Sequence, residues 1–461
     1  MKSLSIFGTS SDAGKSTLSF AITYLLHKRG IKVAPFKAQN VSNNSQVTDA
    51  GGEIAIPQYF AAESIGLKTT PNMNPILLKS GSKNSAHMIV DGLSVANKNV
   101  REYYRDLDSL KPHVTNAFRA LKKEYECIVA EGAGSPVELN LMDKDLSNIF
   151  IATMFNTKII LVADIERGGV FASIYGVYNL LPKQLQKNVI GVIVNKFRGD
   201  RSLFDEGVKI IEEEFKLKVL GVVGYKAFNL GFEDSQSLMN YTQDLSKAII
   251  KVGVIKLPHI SNFTDFEPLI NDPQIELSFI QSRNEFSSCD CIIMPGSKRV
   301  VEDLAWLKKQ GFAKLIKNTQ KRILGICGGY EMMFKNILDA ELIESDKAIT
   351  TALSIFKGDI EFLKEKVVKK GSYNTFGIMC DGYEIHNGLA KKRSKKKKNF
   401  YGTFLHGLFD NDELRYRFFS SINDKYTGYN FKDFKAKSIQ GFAQHIDTSI
   451  DMDYIQKALS E

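Results

Sequence analysis

The chain has 461 residues, 43% hydrophobic and 25% charged, which at roughly 150 residues per domain makes two to three compact units. No apolar run reaches the roughly 18 residues of a membrane-spanning helix, and the first residues lack a basic-apolar-small leader pattern, so a soluble, cytoplasmic protein is expected. Five cysteines without dense spacing argue against a disulfide framework, and the net charge of +9 falls to +2 once the seven positive charges of Lys391-Lys392-Arg393-Ser394-Lys395-Lys396-Lys397-Lys398 are set aside. That run is read as a solvated loop and the balanced remainder gives no case for nucleic acid.

The first elements read as strand, loop and helix. Leu4-Ser5-Ile6-Phe7 is strand-like, Gly8-Thr9-Ser10-Ser11-Asp12-Ala13-Gly14-Lys15-Ser16 follows, and residues 17–29 carry helical apolar spacing until Gly30 stops it. This is the order a phosphate cradle needs: loop amides, with Gly8 and Gly14 permitting the turn, wrap the phosphates, Lys15 neutralises the outer ones and the Ser16 hydroxyl reaches Mg²⁺. Further strand-like runs end in polar or glycine-rich loops. Cys127-Ile128-Val129-Ala130 leads to Glu131, 159–163 to Asp164 and 189–194 to Asn195. The alternation with helical stretches is that of a parallel α/β sheet with ligands at the carboxyl ends of its strands. Glu131 is the expected acidic Mg²⁺ ligand beside Ser16, ahead of Glu53 and Asp12.

A second strand series starts near Ile249, so the chain is divided into 1–232, a linker at 233–247, a second domain at 248–415 and a helical tail at 416–461 packed on it. Cys289 and Cys291 are spaced poorly for zinc and read as strand residues. The run Arg322-Ile323-Leu324-Gly325-Ile326-Cys327-Gly328-Gly329-Tyr330 reads as a buried strand entering a tight turn, placing Cys327 at a helix N-terminus where the dipole favours thiolate. Alone, such a turn equally suits a small buried cysteine. His406, at the end of another strand-like run, Tyr401-Gly402-Thr403-Phe404-Leu405, supplies the matching base and favours a nucleophile.

The phosphate loop is one residue longer than the general pattern and resembles the loops of dethiobiotin synthetase and of ATPases that position division septa and plasmids. A longer series resembles the cobyric acid synthase family: Lys37-Ala38-Gln39-Asn40-Val41-Ser42-Asn43-Asn44-Ser45, Met73-Asn74-Pro75, Glu131-Gly132-Ala133-Gly134-Ser135, Asp164-Ile165-Glu166-Arg167-Gly168-Gly169, Asn195-Lys196-Phe197-Arg198-Gly199-Asp200, Ile260-Ser261-Asn262-Phe263-Thr264-Asp265-Phe266, the cysteine turn, Gly382-Tyr383-Glu384-Ile385-His386 and the His406 segment. The resemblance covers nearly the whole chain in order. It implies a dethiobiotin-synthetase-like P-loop domain followed by a class I glutamine amidotransferase-like α/β domain. It further implies ATP-dependent amidation of the b, d, e and g carboxylates of adenosylcobyrinic acid a,c-diamide with glutamine-derived ammonia, without nucleic-acid or membrane partners.

On that resemblance Asn195 stands where related synthetases read adenine, and a strand-end turn is the competing reading. The Asn40 to Ser45 stretch is a candidate for the side arms of the corrinoid, or simply a turn. In the second domain Cys327 attacks the glutamine carboxamide, His406 relays the proton, and amides near Gly296 and Gly328 form the oxyanion hole. Related glutaminases carry a Glu two residues after the His; here the residue is Leu408, which leaves the third member unassigned. The family commonly has Gln at the position of Glu331, and His386 is read as a structural hydrogen-bonder near the site. Two other readings are cobyrinic acid a,c-diamide synthase, which shares the plan, and a P-loop ATPase switch that positions cargo; the Cys327 and His406 pair disfavours the second.

Overall fold

The computed structural model describes residues 1–80, 85–99, 107–231, 241, 243–390 and 395–461. The expected linker and the first half of the basic run therefore fall largely outside the described residues. Two compact units emerge: one holds Met1–Ser42, Thr48–Phe228 and Lys435–Glu461, the other Asn43–Val47 and Asn229–Phe434.

In the first unit six parallel strands form one sheet in the order Val219–Gly224, Val189–Phe197, Lys158–Asp164, Leu4–Gly8, Cys127–Glu131, Val33–Phe36. Leu4–Gly8 and Cys127–Glu131 are buried along their whole length. That is why these strands read as unbroken apolar runs rather than alternating ones: helices cover both faces of a parallel sheet. Phe36, Val114 and Phe118 fill one face and Phe7, Ile174 and Val192 the other; each fully buried side chain of this size contributes about 1.5–3 kcal/mol. The first helix spans Lys15–Lys28, opening directly on Gly14 at φ 94°. It starts two residues before the expected Thr17, because the left-handed glycine is itself the point where loop turns into helix.

The second unit repeats the theme with strands ordered Ile275–Ile280, Ile250–Ile255, Cys291–Met294, Arg322–Ile326, Phe400–Thr403, closed by the short antiparallel edge Lys396–Lys397. A long antiparallel pair, Asp359–Thr375 and Ile378–Ala390, belongs to a second sheet in this unit. Cys291 begins a strand as expected, whereas Cys289 follows the Arg283–Ser288 helix as its cap residue; both are buried.

The tail departs from expectation. Asp412–Ser420 lies in the second unit, but residues from Lys435 onward belong to the first. Aromatic packing explains this: Phe442 stacks near Phe228 and Phe20, with ring centroids 4.6 and 6.3 Å away. Arg29 pairs with Asp447 at 2.9 Å, and the Lys2 amide bonds the Leu459 carbonyl at 2.7 Å.

Candidate active site

Each unit gathers its chemistry at the carboxyl ends of its parallel strands. In the first, Lys15 curls over the loop so that its Nζ reaches the Ser10 carbonyl at 2.9 Å, and a Cβ at Gly8 would meet that ammonium. Gly14 admits no side chain for a second reason besides its φ: Asn195 fills the space, its Nδ2 donating to the Ala13 carbonyl at 2.9 Å. Asn195, within the Val189–Phe197 strand, thus braces the phosphate loop.

Ser16 Oγ donates to Glu131 Oε1 at 2.6 Å. The same carboxylate takes Lys37 Nζ at 2.7 Å and, through Oε2, Gln58 Nε2 at 2.9 Å. Glu131 and Lys37 are both almost completely buried, so the pair is held by saturation of its hydrogen bonds. Removing one partner from such a pair costs about 3–5 kcal/mol. The hydroxyl and carboxylate are hard oxygen donors of the kind Mg²⁺ selects. The lesser candidates are engaged elsewhere: Glu53 pairs with buried Lys79, and Asp12 with Arg167 at 3.2 Å on the surface. Lys37 and Gln58 have no role assigned from the sequence; the signals for Lys37 are its place in the family-like run that starts there and its position immediately after the fully buried Val33–Phe36 strand.

In the second unit Cys327 caps Arg322–Ile326 at φ 48°, ψ −112°, a strained conformation for a residue with a Cβ, costing on the order of 1–3 kcal/mol. Glycines make the turn possible: a Cβ on Gly329 would collide with the Met294 carbonyl and one on Gly328 would come within 2.8 Å of the Ser297 amide nitrogen. The loop carrying Gly296 is fixed by buried Asp303, which accepts from Ser297 Oγ at 2.6 Å and pairs with His259 Nδ1 at 2.8 Å. Gly296 lies against the ring of His406, a Cβ there falling 3.3 Å from Cε1.

His406 follows the Phe400–Thr403 strand, whose Thr403 pairs in register with Ile326. Cys327 and His406 therefore leave neighbouring strand ends, and both rest on the Ile378–Ala390 strand: Cys327 Sγ donates to the Ile385 carbonyl at 3.4 Å, and His406 exchanges backbone hydrogen bonds with Tyr383. A buried carboxylate, Asp265, faces the His406 ring. Its Oδ2 lies 2.7 Å from His406 Nδ1 and its Oδ1 accepts the Gly407 amide at 2.8 Å. The separation of 141 positions hides this contact from any spacing argument.

One expectation is reversed. The helix that Cys327 opens is only Gly328–Glu331, too short for much dipole, and burial pushes the thiol well above its ordinary value. The resting group is a thiol. Glu331 is itself buried, and burial raises its carboxyl to about 8 against a hydrogen bond from the Gly388 backbone. At neutral pH it is an uncharged acid with the shape of a glutamine side chain. His386 is buried, stacked on Phe404 at 3.8 Å and bonded through Nδ1 to the Gly388 carbonyl at 2.7 Å, the structural role expected of it.

A nucleotide-binding parallel-sheet unit and a glutamine amidotransferase-type unit on one polypeptide define a two-domain amidotransferase. Residues 4–230 match the CobQ/CobB/MinD/ParA nucleotide binding domain and residues 251–414 the CobB/CobQ-like glutamine amidotransferase domain. The chain is 52% identical to a cobyric acid synthase of Acinetobacter baylyi over 464 aligned residues, covering 100% of both chains. It is 36% identical to a cobyric acid synthase of Listeria monocytogenes, covering 100% of this chain and 97% of the other. A crystal structure of a glutamine amidotransferase aligns with 37% of this chain and 97% of its own at 14% identity and a TM-score of 0.30. The chain belongs to the cobyric acid synthase family, the glutamine-dependent amidotransferase ligases. Among the described residues no helix is long and apolar enough to cross a membrane.

Proposed function

We propose that this chain uses ATP to convert the b, d, e and g carboxylates of adenosylcobyrinic acid a,c-diamide into amides with ammonia taken from glutamine. The observation that carries the reading is the pairing of two complete sites on one chain: Lys15, Ser16, Lys37 and Glu131 around the phosphate loop, and Cys327 with His406 and Asp265 at the second sheet.

A carboxylate is a poor acceptor for ammonia, so phosphoryl transfer from ATP first gives an acyl phosphate with a good leaving group. Lys15 and the loop amides offset the charge that moves onto the phosphates. Lys37, beside Glu131, adds a second cation at the same strand ends. Ser16 and Glu131 are the residues that would hold Mg²⁺, which supplies charge neutralisation at the phosphates. Asn195, seated on the loop, is the adenine-side residue in this reading, and the 40–45 stretch contacts the corrinoid arms.

At the second site His406 Nε2 takes the Cys327 thiol proton as sulfur attacks the glutamine carboxamide. The tetrahedral oxyanion is met by amides of the Gly296 and Gly328 turns. Collapse passes the proton to the departing ammonia, and water then hydrolyses the glutamyl thioester. Asp265 keeps the imidazole proton on Nδ1 and stabilises the imidazolium, the orienting task of an acid in such a triad. Neutral Glu331 preserves the donor and acceptor pattern of an amide next to the nucleophile.

The test is amide formation from adenosylcobyrinic acid a,c-diamide and ATP with glutamine or with ammonia as donor. Cys327→Ala is expected to lose the glutamine-driven reaction and keep the ammonia-driven one; wild-type turnover with glutamine would remove Cys327 from the mechanism. Absence of corrinoid-dependent ATP hydrolysis in the wild type would overturn the substrate.

A further inference from the structure

Both nitrogens of His406 are engaged. Nδ1 faces the Asp265 carboxylate, which can only accept, so Nδ1 carries the proton and Nε2 presents its lone pair. That lone pair is the one needed to deprotonate Cys327, and it lies 2.8 Å from Asn262 Nδ2, a donor. His406 is 0% exposed, while the Cys327 thiol points to the Ile385 carbonyl. Acid and base are each paired with a group other than one another.

Asn262 is held in place from an unexpected part of the chain. It adopts left-handed backbone, φ 57°, ψ 58°, which asparagine tolerates better than most residues, and its amide donates to Asn44 Oδ1 at 2.6 Å. Asn44 lies in Asn43–Val47, five residues that belong to the second unit although Ser42 and Thr48 on either side belong to the first. The segment is anchored at both ends: Lys298 donates to Asn43, and Val47 is buried against Tyr383 and Ile385. Tyr383 in turn stacks on His406 with centroids 5.2 Å apart, and Ile385 holds the thiol.

We propose that Asn262 is a positioning residue that latches the glutaminase base, and that the Asn43–Val47 segment, tugged through its flanking chain when the corrinoid acceptor binds, releases it. With the latch closed the Asn262 carboxamide occupies Nε2 and Cys327 stays a thiol. When Asn44 shifts, the Asn262 N–H to Nε2 bond breaks, the Cys327 S–H turns to Nε2, and the thiol proton passes to the ring to give thiolate and imidazolium beside Asp265. Ammonia is then released only when an acceptor is in place. The latch rests on the reading of Cys327 and His406 as the glutaminase pair.

The experiment measures glutamate release by the full chain with ATP, with and without adenosylcobyrinic acid a,c-diamide, in wild type, Asn262→Ala, Asn44→Ala and Cys327→Ala. Loss of the latch is expected to raise acceptor-free glutamate release about fivefold in both asparagine variants, the worth of one neutral hydrogen bond, and to shrink the stimulation by corrinoid by the same factor. Iodoacetamide should also alkylate Cys327 faster in both without acceptor. An unchanged stimulation ratio, or a fall in glutamate release under both conditions, overturns the latch. If Asn262→Ala does not fold, Asn44→Ala, which leaves the His406 surroundings intact, carries the same test. Glutamate release surviving in Cys327→Ala would instead overturn the glutaminase reading, so the two failures are distinguishable.

Discussion

Glu331→Gln isolates the cost of a buried acid. Burial raises the Glu331 carboxyl from an ordinary 4.5 to about 8, so between those values the folded state holds a proton that the unfolded chain has released. Stability then falls as pH rises through this window, because the folded protein binds more protons than the unfolded one. At pH 8 the accumulated penalty is about 4 kcal/mol, from roughly 1.4 kcal/mol for each tenfold change in proton affinity, and near pH 5 it is below about 1 kcal/mol. Glutamine has the same shape and no charge to lose, so the variant should be more stable than wild type by these amounts. For a domain of this size 1 kcal/mol moves the melting temperature by about 2–4 °C, which predicts a gap of about 8–16 °C at pH 8 shrinking to a few degrees at pH 5. Thermal unfolding of both proteins across that pH range measures it. A gap that does not change with pH would refute the claim that Glu331 is a neutral acid in the folded state.

The remaining predictions concern the two sites. Lys15→Ala should abolish amidation with either glutamine or ammonia while leaving the melting temperature within a few degrees of wild type; normal ammonia-driven amidation would remove the loop from the chemistry. Asp265→Asn should lower glutamine-dependent turnover by about a hundredfold or more, since an amide can no longer fix the Nδ1–H tautomer, yet spare the ammonia-driven reaction; equal loss of both would mark a folding defect. Lys37→Met should cost about 3–5 kcal/mol in chemical denaturation by leaving Glu131 buried without its cation, along with loss of amidation; a stability change under about 1 kcal/mol would show that Gln58 and Ser16 suffice to hold the carboxylate.

Local chemistry explains what is legible in the sequence. The phosphate loop and the cysteine turn announce themselves because glycines at fixed offsets are needed where a strand gives way to a helix, and Gly14 and Gly329 do stand where any side chain would collide. The parallel sheets are readable as unbroken apolar runs such as Lys158–Asp164. Contacts made by long-range folding are not. Asp265 reaches His406 across 141 positions and Lys37 reaches Glu131 across 94, and neither leaves a periodic trace. The thiolate expectation fails for a related reason: sequence shows a helix start but not how deeply the sulfur is buried, and burial outweighs one turn of dipole. The tail's place is hidden because its aromatic helix, Phe431–Asp447, is amphipathic without indicating which apolar surface it meets.

That helix has a consequence for how the protein comes into being. Residues 435–461 complete the first unit, with Ile450 bridging Gly221 and Leu459 bonding Lys2, yet they leave the ribosome after all of Asn229–Phe434. Domains fold as units while synthesis proceeds at about 5–20 residues per second, so the stretch 229–434 emerges over some ten seconds or more while the nucleotide-binding unit still lacks part of its core. Every residue of the second unit is thus made before the first unit receives residues 435–461, so the unit that begins the chain is the later of the two to have all its parts.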